Sequence, residues 1–230
     1  MLDPLSSLDE ILTGKILLIN KPQNWTSFDV VKKIKSIIKQ KHNISKVKIG
    51  HAGTLDPLAT GLLIICTGKF TKKIAEIQEQ KKTYIGELIL GKTTPSYDLE
   101  TSFDAHFPTQ HINHEMLIAA SKSFIGKINQ TPPLYSALKV KGERLYHKAR
   151  RGEKVKISSR KVEISNFILT DILLPKIQFK IVCSKGTYIR SIAYDFGKKV
   201  DSGAYLSSLK RTKIGEYMLS NSLEISDLLN

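Results

Sequence analysis

The stretch Gly50 to Gly61, GHAGTLDPLATG, limits what this chain can fold into. Gly50, Gly53 and Gly61 allow the backbone positive φ angles or a close approach to another group. Pro57 pushes Asp56 toward an extended conformation and away from a helix. The segment therefore reads as a shaped loop that presents one carboxylate, with His51 just upstream. Asp-Pro and glycine are also common in plain surface turns. Apolar runs and hydroxyl side chains frame this one, which favours a built site over a solvent turn.

Regular elements are expected on both sides of the loop. KILLIN (Lys15–Asn20) reads as a buried strand. Ser27 can cap a helix carrying Phe28, Val31, Ile34, Ile37 and Ile38. Lys39–Lys48 is a basic connection into the loop, and Leu62–Cys66 a short strand. Phe70–Gln80 reads as a helix, and the alternation in Tyr84–Leu90 as a strand. Ser96–His111 is an expected loop with Asp98, Glu100 and Asp104 as its acids. Glu115–Ile125 has helical spacing and stops at Gly126. Val162–Leu174 and Ile177–Cys183 are expected strands joined by a turn at Pro175. Thr187, as N-cap, opens a helix to Val200 with Ile189, Ile192, Ala193 and Phe196 on its apolar side. Strands and helices mix without regular βαβ alternation, which predicts an α+β fold with a mixed, mostly antiparallel sheet.

With 230 residues, 41% of them hydrophobic, the chain can bury a real core. Its charge is one-sided: Lys+Arg 36 against Asp+Glu 21 gives +15. Such an excess favours a polyanionic partner, most simply nucleic acid. No basic amphipathic helix or lipidation signal supports a membrane surface instead. No apolar run approaches the ~20 residues that span a bilayer. Cys66 and Cys183 end apolar runs and read as reduced, packed thiols, and no Cys/His cluster has zinc spacing. MLDPLSSLDEIL lacks the features of a signal peptide, so a cytoplasmic location is expected.

Two further segments carry chemistry. Thr131–Lys154 interleaves Lys139, Lys141, Arg144, Lys148, Arg150, Arg151 and Lys154 with Tyr135 and Tyr146. Cations between aromatics suit a folded RNA with unstacked bases; a solvated basic loop is the rival reading. Arg190 falls in the first turn of the expected helix, where the dipole disfavours a cation by a few tenths to ~1 kcal/mol. A carboxylate partner would offset that cost.

GHAGTLDPLATG followed by GKFTK (Gly68–Lys72) closely resembles the signature of the TruB-type tRNA pseudouridine-55 synthases. LLINKPQNWTS (Leu17–Ser27), KKTYIGELILG (Lys81–Gly91) and SKGTYIRSIAYDFG (Ser184–Gly197) resemble further stretches of that family in the same order. PPLYSALKVKGERLYHKARRG (Pro132–Gly152) resembles its RNA-gripping insertion. The resemblance implies the pseudouridine synthase fold, with flanking helices and an active-site cleft across the sheet. It implies one catalytic domain over 1–230, with about 131–155 as the insertion and no C-terminal PUA domain.

The same resemblance implies the roles of individual residues. Asp56 falls on the nucleophile and Arg190 on its ion-pair partner. Tyr84 falls against the target uracil and is a candidate to help remove the C5 proton; Tyr188 falls in the pocket. Leu209 lines that pocket. His51 contacts the RNA rather than acting as a base. Lys21, with Lys72 and Lys73, is a candidate for the pocket rim or a phosphate. Lys139, Arg144, Lys148 and Arg151 grip the RNA backbone. No metal and no cofactor is implied. The partner is the T-arm stem-loop of tRNA, bound by a monomer that requires no protein partner. Asn24 stands where the family usually has glycine, and asparagine tolerates the left-handed region well enough to keep the turn. Phe70 replaces a common alanine. A tRNA-folding chaperone, in which binding outweighs isomerisation, is the alternative. A guide-RNA-dependent rRNA modifier is a third, disfavoured by the short chain.

Overall fold

The computed structural model describes residues 4–140 and 142–229. In chain order the elements are α1 (Leu8–Thr13), β1 (Ile16–Lys21), α2 (Ser27–Lys41), β2 (Ile49–His51), β3 (Thr60–Thr67), α3 (Ile74–Glu79) and β4 (Lys82–Leu90). There follow β5 (Lys92–Thr93), β6 (Ala105–His106), α4 (His114–Lys122), β7 (Gly126–Gln130), β8 (Lys139–Val140), β9 (Glu143–Arg144) and α5 (Leu145–Arg150). The last are β10 (Arg160–Leu173), β11 (Lys176–Cys183), α6 (Ile189–Lys199), β12 (Ala204–Ile214) and β13 (Tyr217–Met218). The main sheet has the order β1-β3-β12-β4-β11-β10-β7, with β2 beside β3 and β13 beside β12. Pairing of β1 and β2 with β3, of β10 with β7 and β11, and of β12 with β13 is antiparallel, while β12 runs parallel to β3. The expected α+β class with a mixed, mainly antiparallel sheet is what forms. The chain groups into two compact units, one running up to Tyr84 and resuming at Leu209, the other Ile85–Ser208.

In the first unit β3 is buried on both faces. Leu63 and Ile65 face a core with Leu17, Ile19 and the helix residues Val30, Val31, Ile34, Ile37 and Ile38. Leu62, Ile64 and Cys66 face a second core with Ala52, Ile77 and Ile214. A strand covered on both sides shows a continuous apolar run instead of alternation, as LLIIC does. The α2 cap differs from expectation: Thr26 is the N-cap, in a reciprocal capping box with Asp29. That phase puts Ser27, Val30 and Val31 on the buried side and leaves Phe28 59% exposed, with the Lys32 ammonium 4.8 Å from its ring centre. The expected helix at Phe70–Gln80 is a 3-10 turn over Gly68–Lys73 running into α3.

In the second unit β10 and β11 form a long antiparallel hairpin, with register shifts at Ile164/Asn166 and Leu169/Asp171. Its core is aromatic: Phe167 meets Phe124, Phe179 and Phe196 edge-on, at 5.7–6.0 Å between ring centres. Gly126 does not end a helix directly. α4 stops at Lys122, and Gly126, at φ 105°, opens β7, a strand absent from the sequence reading. Ser96–His111 is mostly loop, but Ala105–His106 pairs with Lys92–Thr93 as a short ribbon. No helix among the described residues is long and apolar enough to cross a membrane. Cys66 and Cys183 are both buried and are not joined in a disulfide.

Candidate active site and RNA-contact segment

Residues 52–59 connect the antiparallel strands β2 and β3, so Asp56 sits on the connection of a hairpin. Several backbone groups around the acid are held. The Ser27 hydroxyl donates to the Leu55 carbonyl at 3.2 Å and accepts from the Leu55 amide at 2.9 Å. The Asn24 amide donates to the Pro57 carbonyl at 2.8 Å, and the Ala59 amide closes a turn onto the Asp56 carbonyl at 3.1 Å. Asn24 adopts φ 64°, the left-handed conformation its sequence position anticipated. The carboxylate itself is half-buried.

Two buried cations underlie this loop. Lys21 is fully buried, and its ammonium donates to the carbonyls of Pro22, Trp25 and Pro57 at 2.8, 2.6 and 3.2 Å. Burial pulls its pKa down to about 8; the charge of Asp56 opposes that shift and Arg211 reinforces it. Lys21 is thus a brace inside the loop rather than an exposed rim group. Arg211 is the second cation, equally buried, and sequence reading missed it because KRTK looks like a solvated run. His51 is held below its ordinary pKa, first by burial and then by repulsion from Arg211, against a weaker backbone interaction with Gly53. It is therefore neutral at pH 7 and suited to hydrogen bonding rather than to phosphate attraction. Tyr84 is buried, and Leu209 is half-buried with its carbonyl accepting from Thr60 at 3.5 Å. Lys72 and Lys73 are exposed; Lys72 joins Lys46, Lys48 and Lys69 around a hollow of about 320 Å³ floored by Leu12, Val47 and Gly68.

The second unit holds Arg190 and Tyr188. Helix α6 starts at Ile189, and its N-cap is Tyr188 without a side-chain cap; Thr187 instead donates to the Ser184 carbonyl. The reason is that Gln130 already grips Tyr188 at both backbone groups, its amide donating to the carbonyl at 3.0 Å and its oxygen accepting from the N–H at 2.8 Å. Arg190 lies in the first helical turn, as expected, and is 3% exposed. Its Nη1 donates to the carbonyls of Ser96 and Tyr135 at 3.2 and 2.9 Å, and its Nε lies 3.5 Å from Oδ2 of the buried Asp98. Asp98, which the sequence reading treated only as a loop acid, is therefore an anionic partner that offsets the helix dipole at Arg190. The preceding residue, Tyr97, adopts φ 65° and stacks on Tyr194 at 3.9 Å. Tyr188 is half-buried, with the Arg160 guanidinium 4.6 Å from its ring centre.

The basic insertion is a folded element. β8 and β9 pair Lys139 with Arg144 and Val140 with Glu143, and α5 follows at once. Lys141 lies outside the described residues. Lys139 and Arg144 are exposed and directly opposite, an arrangement that is unfavourable without an anion. Lys148 and Arg151 differ. Lys148 bridges Glu143 and Glu153 at 3.1 and 3.2 Å, and Arg151 does the same at 2.6 and 2.7 Å. Hydrogen bonds from Arg151 and then Lys148 hold Glu143 down at about 2. Arg150 packs on Tyr146 and reaches Glu100 at 3.1 Å.

Residues 36–189 match the family described as TruB family pseudouridylate synthase, N-terminal domain. The chain is 56% identical over 219 residues to tRNA pseudouridine synthase B of Flavobacterium johnsoniae, covering 95% of this chain and 96% of that protein. It is 50% identical over 223 residues to the protein of the same name from Parabacteroides distasonis, covering 96% and 95%. Among solved structures it resembles a chain of a Cbf5-Nop10-Gar1 complex, with a TM-score of 0.70 and 26% identity over 96% of this chain. It spans 55% of that chain's length.

Proposed function

The chain belongs to the TruB family of pseudouridylate synthases, and from that premise we infer that it is an isomerase forming pseudouridine in tRNA, acting at uridine 55 of the T-loop with Asp56 as nucleophile. The observation that carries this reading is the braced loop: one half-buried acid on a hairpin connection, with the backbone of Leu55, Asp56, Pro57 and Ala59 held by hydrogen bonds. The reaction breaks the N1–C1′ bond of uridine, turns the base, and forms a C5–C1′ bond. C5 loses a proton and N1 gains one, so no redox or phosphate chemistry is needed. A single carboxylate serves by attacking C1′ or C6, or by promoting elimination to a glycal.

Tyr84 and Tyr188 stack on the flipped uracil, replacing about 1–3 kcal/mol of lost base stacking. Leu209 forms a wall of the pocket. Arg190 is the cation assigned to the catalytic machinery, held in the first turn of α6 by Asp98 and by the carbonyls of Ser96 and Tyr135. His51 contacts the reorganised T-loop as a neutral imidazole. The insertion grips the backbone through Lys139 and Arg144. The enzyme works as a monomer in the cytoplasm, without a cofactor or protein partner.

Incubation with an unmodified T-arm stem-loop carrying C5-tritiated uridine tests this directly. Tritium should be released only when uridine 55 carries the label. Release from another position would overturn the site assignment. Refolding of tRNA without tritium release would favour the chaperone role instead.

A further inference from the structure

We propose that Arg211 is a positioning residue that fixes the acid loop from beneath. The proposal rests on the reading of Asp56 as nucleophile. Its Nε donates to the Leu62 carbonyl at 2.8 Å, its Nη2 to Gly53 at 2.9 Å and its Nη1 to Thr54 at 3.4 Å. Gly53 and Thr54 precede Asp56 in the loop, and Leu62 follows it. One planar guanidinium thus ties the two ends of the hairpin connection together, a span that a lysine's single ammonium cannot reproduce. Lys21 holds Pro57 from elsewhere, so Asp56 stands between carbonyls anchored by two cations.

The Arg211 backbone takes part too. Arg211 is opposite Gly61 in the parallel β12–β3 pairing, and a Cβ on Gly61 would collide with the Arg211 backbone. Gly61 takes φ 99°, so a side chain there would also be strained. Leu209 is two residues earlier on the same strand and therefore shares its face. Strand β12 carries both the proposed uracil wall and the anchor of the acid loop, which fixes the distance between them. Among the described residues this buried guanidinium hydrogen-bonds to carbonyls, a costly way to fill space, since an apolar side chain would avoid its desolvation. Its use here is consistent with geometry being the gain.

Arg211→Lys keeps the charge and loses the fork. We expect a folded protein whose kcat for tritium release falls about 10²-fold, the usual cost of a displacement of about 1 Å at a reacting group. KM should stay within a few-fold, and amide hydrogen exchange should accelerate over residues 52–62 and not elsewhere. A lowered melting temperature with an unchanged kcat, or unchanged exchange over the loop, would overturn the proposal. In the parent protein, the Arg211 Nε–H should exchange in step with the loop amides; independent opening would also refute it, even if the variant fails to fold. If the parent releases no tritium, the isomerase reading fails, while the exchange results still decide whether Arg211 anchors the loop.

Discussion

At the scale of single residues, the site is built from buried charges whose partners decide their effect. Asp56→Asn should abolish tritium release and leave RNA affinity within a few-fold, because an amide is no nucleophile and one charge adds little to a multi-phosphate interface. Measurable turnover by this variant would remove Asp56 from its role. Lys21 yields a pH test. Its folded pKa of about 8 lies below the ordinary 10.5, so between those values the unfolded chain binds more protons. Its contribution to stability therefore rises with pH across that window, and below about pH 8 it stays at its unfavourable limit. The urea midpoint of the parent minus that of Lys21→Met should climb from pH 8 to 10.5; a flat difference would show that the ammonium is not held at low pKa. Arg190→Met removes the cation facing a carboxylate that is 5% exposed. Because the lost cation stands beside the buried Asp98, unfolding free energy should fall by about 3–5 kcal/mol. Denaturation at the parent's urea midpoint would show that the pair contributes nothing.

At the scale of elements, periodicity made much of the chain legible. The helix stripe of α2 and the twin faces of β3 follow from spacing alone, since a side chain's direction on a regular element is fixed by its position. The errors fell at ends. Thr26 rather than Ser27, and Tyr188 rather than Thr187, mark helix starts, because tertiary hydrogen bonds claimed the hydroxyl of Ser27 and the backbone of Tyr188. The insertion was legible as basic but not as sorted. Lys148 and Arg151 are tied to Glu143 and Glu153, while Lys139 and Arg144 face each other across a ribbon. Replacing Lys139 and Arg144 with glutamine should cut the salt slope of tRNA binding by about 1.4–1.8, at 0.7–0.9 per lost phosphate contact. The same change at Lys148 and Arg151 should loosen the insertion, read as faster amide exchange over α5, with a smaller change of slope. Equal slopes for the two double variants would mean that the carboxylates do not divide these cations into two classes.

Across the whole molecule the +15 charge is not confined to the insertion. Lys46, Lys48, Lys69 and Lys72 surround one hollow in the first unit. Their joint replacement by glutamine should weaken tRNA binding, lower the slope by about 0.9 per duplex phosphate lost, and leave the single-turnover rate at saturating RNA unchanged. An unaltered slope would mark them as solvated surface. The sequence alone determined the α+β class, the strand and helix cores, the shaped loop around Asp56, the left-handed Asn24 and the family. These depend on local sterics and on spacing within a short window. Only the tertiary structure decided what each buried cation meets. Arg211 reaches Gly53 across 158 positions and ends on carbonyl oxygens, while Arg190 reaches the Ser96 carbonyl across 94 beside the Asp98 carboxylate. Every residue carries a carbonyl oxygen, so no residue type in the sequence could have announced those carbonyl partners.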